Sequence, residues 1–166
     1  TDHYGKAFPF DALFDSFLKN RTALVLHGDF ELIPGAHAFL EACGHHQISC
    51  GLVTSSYREE TQVILERLGL AGYFQFALFG DETQHGKPDP EIYLKAIAKS
   101  GFPPGAIVAF EDSKNGILSA RNAGLAVYRI ENPVPIDADI LNLVAASFNN
   151  YDEALDFFHL DKKHMQ

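Results

Sequence analysis

From about residue 48 onward, short apolar runs alternate with stretches whose apolar residues recur at helical spacing. Ile48-Ser49-Cys50-Gly51-Leu52-Val53-Thr54 reads as a buried strand. Ser56 then opens a helix to about Leu68, with Glu59 at capping-box spacing and Gly69 as the stop. Phe76 to Phe79 is a second short strand, and Asp89-Pro90 starts a helix that ends near Gly101. A third strand covers Ile107 to Phe110, a helix runs from Ser113 to Ala123 before Gly124, and a fourth strand covers Ala126 to Ile130. Leu143 to Phe148 reads as a fifth strand before a last helix from Tyr151 to about Leu160. Strands that alternate with helices of about 10–15 residues predict an α/β fold: a parallel sheet with right-handed crossovers and helices on both faces.

The first 35 residues break that rhythm. Phe10, Leu13, Phe14, Phe17 and Leu18 fall at i, i+3, i+4, i+7 and i+8, one face of a helix. The Phe8, Phe10, Phe14 and Phe17 cluster reads as packing. Pro34-Gly35 is the turn back to the α/β region, followed by a helix over Ala36 to Ala42.

Composition narrows the classes. The chain has 166 residues, of which 46% are apolar and 21% charged, and its mean hydropathy is −0.07. A chain of that length buries roughly 70% of its unfolded surface and needs no disulfide or metal staple. Thirteen Lys and Arg against 22 Asp and Glu leave a charge of −9, which argues against nucleic acid and anionic membrane as partners. No apolar run approaches the ~18 residues of a membrane helix, and no secretory signal opens the chain. Cys43 and Cys50 form no metal or redox pattern and read as a reduced pair of a cytoplasmic protein. The eight histidines show no HxH or HExxH spacing and read as solvated or core residues.

In open parallel sheets, ligands bind beyond the carboxyl ends of the strands. After the first strand come Thr54, Ser55 and Ser56, either ordinary helix-capping hydroxyls or donors that, with free backbone N–H groups, suit a phosphate. After the second comes His85-Gly86-Lys87-Pro88-Asp89-Pro90. Lys87 is there either a surface lysine or a point charge held against an anion by its constrained loop. After the third come Glu111, Asp112 and Ser113. Two adjacent carboxylates at a buried strand tip are a cap beside an exposed acid, or hard oxygen ligands for Mg²⁺. Tyr57 and Arg58 either touch a substrate or simply open a solvated helix.

In that order, hydroxyl, lysine and acid pair resemble the haloacid dehalogenase superfamily. Leu-Val-Thr-Ser-Ser, Gly-Lys-Pro-Asp-Pro-Glu-Ile-Tyr and Val-Ala-Phe-Glu-Asp-Ser-Lys-Asn-Gly-Ile are similar to its second, third and fourth motifs. The nearest subgroup is that of β-phosphoglucomutase and many small sugar and metabolite phosphatases. Gly-Leu-Ala-Gly-Tyr-Phe at 69–74 and Ala-Arg-Asn-Ala-Gly at 120–124 extend the likeness. The resemblance implies a Rossmann-like parallel sheet with a helical cap, Thr54 and Ser55 on the transferring phosphoryl group, and Lys87 neutralising its charge. It also implies Asp112 on Mg²⁺, with Glu111 beside it as a ligand or through water. The activity implied is phosphohydrolysis of a small phosphorylated metabolite through an aspartyl phosphate. A phosphosugar mutase is the alternative, and an inactive phosphate- or partner-binding protein is another.

The family's first motif, an apolar strand ending in D-x-D-G that carries the nucleophile, does not occur here. Asp137-Ala138-Asp139 follows a proline-rich loop after the fourth strand and does not replace it. Ala23 to Asp29 reads either as a decayed first motif with His27 at the nucleophile position or as the last helix of the cap. The second reading is adopted: residues 1–31 as a remnant of the cap, residues 32–166 as the α/β core without its first strand. The chain opens on Thr1, not Met, and the first motif is expected upstream. Oligomeric state is not legible.

Overall fold

The computed structural model describes residues 9–160. The order is α1 (Phe10–His27), α2 (Ala36–His45), β1 (Gly51–Val53), α3 (Arg58–Arg67), β2 (Phe76–Leu78), α4 (Glu91–Ser100), β3 (Val108–Glu111) and α5 (Lys114–Asn122). β4 (Ala126–Ile130), α6 (Ala138–Leu141), β5 (Ala146–Phe148) and α7 (Tyr151–Phe157) complete it. β1 pairs with β2 in parallel, Val53 opposite Leu78. β3 pairs with β4, and β4 with β5, also in parallel; Glu111 stands opposite Arg129 and Ile130 opposite Phe148. The expected parallel α/β layering is present, but divided into a two-stranded and a three-stranded sheet. Among the described residues no strand joins β1 to β3.

One core nevertheless spans both sheets. Ile92, Tyr93 and Ala96 of α4 and Ile117 and Ala120 of α5 pack against Leu78, Ala109 and Val127. The alternate residues of the same strands face the other way. Phe110, Tyr128, Ile130 and Phe148 pack with Phe39 and Cys43 of α2 and with Ala154 of α7, and the Phe39 and Phe110 rings meet edge-on at 5.2 Å. This period-two division puts helices on both faces, as the strand pattern predicts.

Local chemistry explains where elements start. Ser56 does not cap α3. Its N–H donates to Thr54 Oγ1 (3.1 Å) and its carbonyl accepts from Gly80 N–H (2.9 Å), so residues 54–56 form a turn of their own. The first N–H of α3, on Arg58, is instead capped from across the fold by Asp81 Oδ1 (3.1 Å). Pro90 stands at the cap position of α4, one residue before the helix, and Asp89 Oδ1 accepts the Glu91 N–H (2.9 Å). Ser113 caps α5 as its position predicts, accepting from Gly116 N–H at 3.1 Å. The short helix α6 starts at Ala138, within the D-x-D stretch, and Asp137 pairs with Lys114.

Residues 23–27 are the last turns of α1, not a strand, so His27 does not occupy a strand-tip nucleophile position. The expected apolar stripe of α1 is on a helix, but its packing differs. Leu13, Phe14 and Phe17 are 56%, 54% and 56% exposed. The reason is geometric: α1 touches the body through its second half, where Arg67 donates to the carbonyls of Val25 (2.7 Å) and Gly28 (2.6 Å) and Arg21 pairs with Glu60. Phe8 and the termini of the expected units, residues 1–8 and 161–166, lie outside the described residues. So do the side chains of Phe10 and Leu18. Among the described residues no helix is long and apolar enough to cross a membrane, and Cys43 and Cys50 are free thiols.

Candidate functional site

A cavity of about 370 Å³ opens between β1 and β3 at their carboxyl ends. It is lined by Thr54, Ser55, Lys87, Glu111 and Asp112, together with Ser56, Ser113 and Tyr151 among others. The five residues that the resemblance implicates therefore line one space, whereas Tyr57 and Arg58 do not line it. The five come from three different chain segments.

The hydroxyl corner forms because β1 stops early. The Thr54 N–H still donates to Leu78 O (3.0 Å), but the chain then turns. Gly80 allows that turn: a Cβ there would stand 2.2 Å from the Ser55 carbonyl oxygen.

Lys87 comes in from the loop before α4. Its Nζ lies 2.5 Å from Glu111 Oε1, 3.5 Å from the Val53 carbonyl and 5.0 Å from the centre of the Tyr93 ring. The Lys87 and Glu111 side chains are only 9% and 7% exposed. Burial makes the pair structurally demanding, since breaking a buried ion pair leaves an uncompensated charge. Glu111 is fixed from two further directions. Tyr93 donates its hydroxyl to the same Oε1 at 2.5 Å, and a Cβ on Gly116 would meet Oε2 at 1.9 Å. Gly116 is thus glycine because the carboxylate rests against its backbone. Burial, then the Glu111 charge, pushes the Tyr93 hydroxyl well above its ordinary range, so at neutral pH it is a donor.

The Lys87 loop is itself tied down. Ser119, fully buried in the middle of α5, donates to the Asp89 carbonyl at 2.6 Å, and Asn122 donates to the Pro88 carbonyl at 3.4 Å. Glu91 accepts from the backbone N–H groups of Gln84 and His85 and from Lys95 Nζ. Lys95, and then those N–H groups, hold its carboxyl down at about 2. The structure also brings His85 together with Asp89 and Glu91, a grouping no spacing rule for histidines anticipates.

Asp112 differs from its neighbour. It is exposed at the strand tip, and its carboxylate accepts at Oδ2 from Asn132 Nδ2 (2.9 Å). The Tyr151 hydroxyl is pushed up to about 12, first by burial and then by the Asp112 and Glu111 charges. The donor set fits a hard cation: a carboxylate at an open strand tip, with hydroxyls and a lysine alongside, suits Mg²⁺ shared with a phosphate. Of the two carboxylates, Asp112 is the one that could offer an oxygen to such a cation. Glu111 Oε1 is already taken by Lys87 and Tyr93. Tyr93, Ser119, Gly116 and Asn132 escape a reading of the sequence because each acts through another residue, although Tyr93 and Gly116 lie in quoted motif stretches.

A parallel α/β fold with this strand-tip constellation defines a class, and the comparisons name it. The haloacid dehalogenase-like hydrolase family model matches residues 5–130. The chain belongs to that family. It is 41% identical over 92 residues to the phosphorylated carbohydrates phosphatase of Thermotoga maritima, covering 55% of this chain and 43% of that one. It is 30% identical over 139 residues to a Salmonella choleraesuis phosphoglycolate phosphatase, covering 81% and 55% respectively. The crystal structure of a HAD hydrolase, family IA, variant 3, from Entamoeba histolytica superimposes with a TM-score of 0.73 at 30% identity, covering 87% of this chain and 67% of that one. The chain spans about half the length of these curated relatives.

Proposed function

We propose that the whole protein is a Mg²⁺-dependent phosphohydrolase acting on a small phosphorylated metabolite, of the sugar phosphate or phosphoglycolate type. The observation that carries the reading is the single cavity in which Thr54, Ser55, Lys87, Glu111 and Asp112 meet. The names of the relatives support the same reaction class. Phosphoryl transfer asks a protein mainly for positioning and charge stabilisation, and these residues supply both. Thr54 and the Ser55 backbone hold the phosphoryl oxygens, while Lys87, steadied by Glu111 and Tyr93, faces their negative charge. Asp112 would hold Mg²⁺, which supplies further positive charge against the phosphate.

The attacking carboxylate in this reading is an aspartate of the family's first motif, on a strand entering between β1 and β3. Its oxygen bonds to phosphorus as the ester P–O bond breaks and the leaving alcohol takes a proton; water then releases phosphate. Among the described residues β1 and β3 each pair on one side only, which supports that placement, since a parallel strand between them would satisfy both rows of backbone groups. Two free thiols suit a reducing compartment, the cytoplasm.

The test is phosphate release by the full-length protein from a panel of sugar phosphates and phosphoglycolate, with and without Mg²⁺. Release is expected with Mg²⁺ and should fall by two or more orders of magnitude, about 10²–10³-fold, in Lys87→Ala. No release from any ester overturns the reading, and isomerised sugar phosphate without release marks a mutase.

A further inference from the structure

Asn132 lies two residues past β4, outside every stretch that carries the family resemblance. Its Nδ2 donates twice to Asp112, to Oδ2 at 2.9 Å and to the backbone carbonyl at 3.1 Å. Its Oδ1 accepts the Val134 N–H at 2.8 Å. That last contact fixes which way the amide points: an N–H can only donate, so the atom facing Val134 is the oxygen, and the NH₂ faces the carboxylate. Proline on both sides of Val134 stiffens the segment. The same junction is braced a second time, where Lys114 at the start of α5 pairs with Asp137 at 2.8 Å.

An exposed carboxylate at a strand tip is otherwise free to rotate. Among the described residues, the carboxylate of Asp112 receives no hydrogen bond except that from Asn132. One oxygen is thereby held and the other left open. Partners behind a ligand orient it and tune its affinity for a metal.

The geometry points to Asn132 as a positioning residue that aims the open oxygen of Asp112 at the cation. This rests on the reading of Asp112 as a Mg²⁺ ligand. The distinguishing experiment titrates full-length protein with Mg²⁺ alone by calorimetry, and with Mn²⁺ followed by electron paramagnetic resonance, for wild type, Asp112→Asn, Asn132→Ala and Asn132→Ser. Serine keeps a group able to accept the Val134 N–H but is too short to reach Asp112. Asp112→Asn should abolish binding. Both Asn132 variants should weaken it by about 10–100-fold, with melting temperatures close to wild type for Asn132→Ser. Unchanged affinity in Asp112→Asn overturns the ligand reading and this inference with it. Loss in Asp112→Asn with Asn132→Ala and Asn132→Ser within twofold of wild type overturns the inference alone.

Discussion

Helices α5 and α1 both carry apolar residues at helical spacing, yet one is sealed into the core and the other lies half in water. Ile117 and Ala120 of α5 are fully buried, and its Ser119 reaches the Lys87 loop. Leu13, Phe14 and Phe17 of α1 are exposed, and two arginines hold the helix by its second half. The difference teaches that periodicity specifies a helix and the face it offers, but not whether a partner is present. Among the described residues α5 packs on β3 and β4 with α4 and α6 beside it, whereas the main neighbour of α1 is α3.

The contrast can be broken at each end. Ile117→Ala should cost about 2–5 kcal/mol, because a buried methyl cluster is lost from a site that cannot collapse; denaturant unfolding measures it. An effect below 1 kcal/mol would mean that α5 is no more embedded than α1. Arg67→Ala should cost about 1–3 kcal/mol. It removes the donors to Val25 and Gly28, and limited proteolysis should then cut near residue 28 faster than in wild type. Phe17→Ser should change stability by less than about 0.5 kcal/mol. A larger loss would show that the exposed stripe is covered in the whole protein.

The smallest effect concerns the loop that α5 braces. Lys95, and then the Gln84 and His85 N–H groups, hold the Glu91 carboxyl down at about 2 against an ordinary value of 4.5. A depressed carboxyl contributes stability that is present above the unfolded value and lost as pH falls through the folded one. Glu91→Gln should therefore melt below wild type at pH 6, with the gap closing between pH 4.5 and about 2. A gap independent of pH would assign the role to shape instead of charge.

Much of this fold is legible in the sequence for a physical reason. β4 has the bounds its apolar run predicts, and α5 starts at the serine that caps it, because both are set by local chemistry. The start of α3 is misread because its cap, Asp81, comes from another segment, and a rule confined to neighbours in sequence cannot see it. The site follows the same division. Thr54 and Asp112 stand just past strand ends and Lys87 in the constrained loop that follows β2, where pattern points; Tyr93, Ser119 and Asn132 matter through contacts that only the folded chain creates. Apolar runs announce strands and not their neighbours, so the split of the sheet is implied in the sequence only by the absent first motif.

That split bears on how the molecule assembles. Among the described residues, every hydrogen-bonded strand pair joins strands consecutive in the chain: β1 with β2, β3 with β4, β4 with β5. Each sheet can therefore form without waiting for a distant segment, and short sequence separation between partners speeds folding. Among the described residues, what unites the halves is the side-chain core beneath α4 and α5. Leu78 of one sheet and Ala109 and Val127 of the other are buried by the same two helices, so among the described residues the two sheets share a single apolar joint.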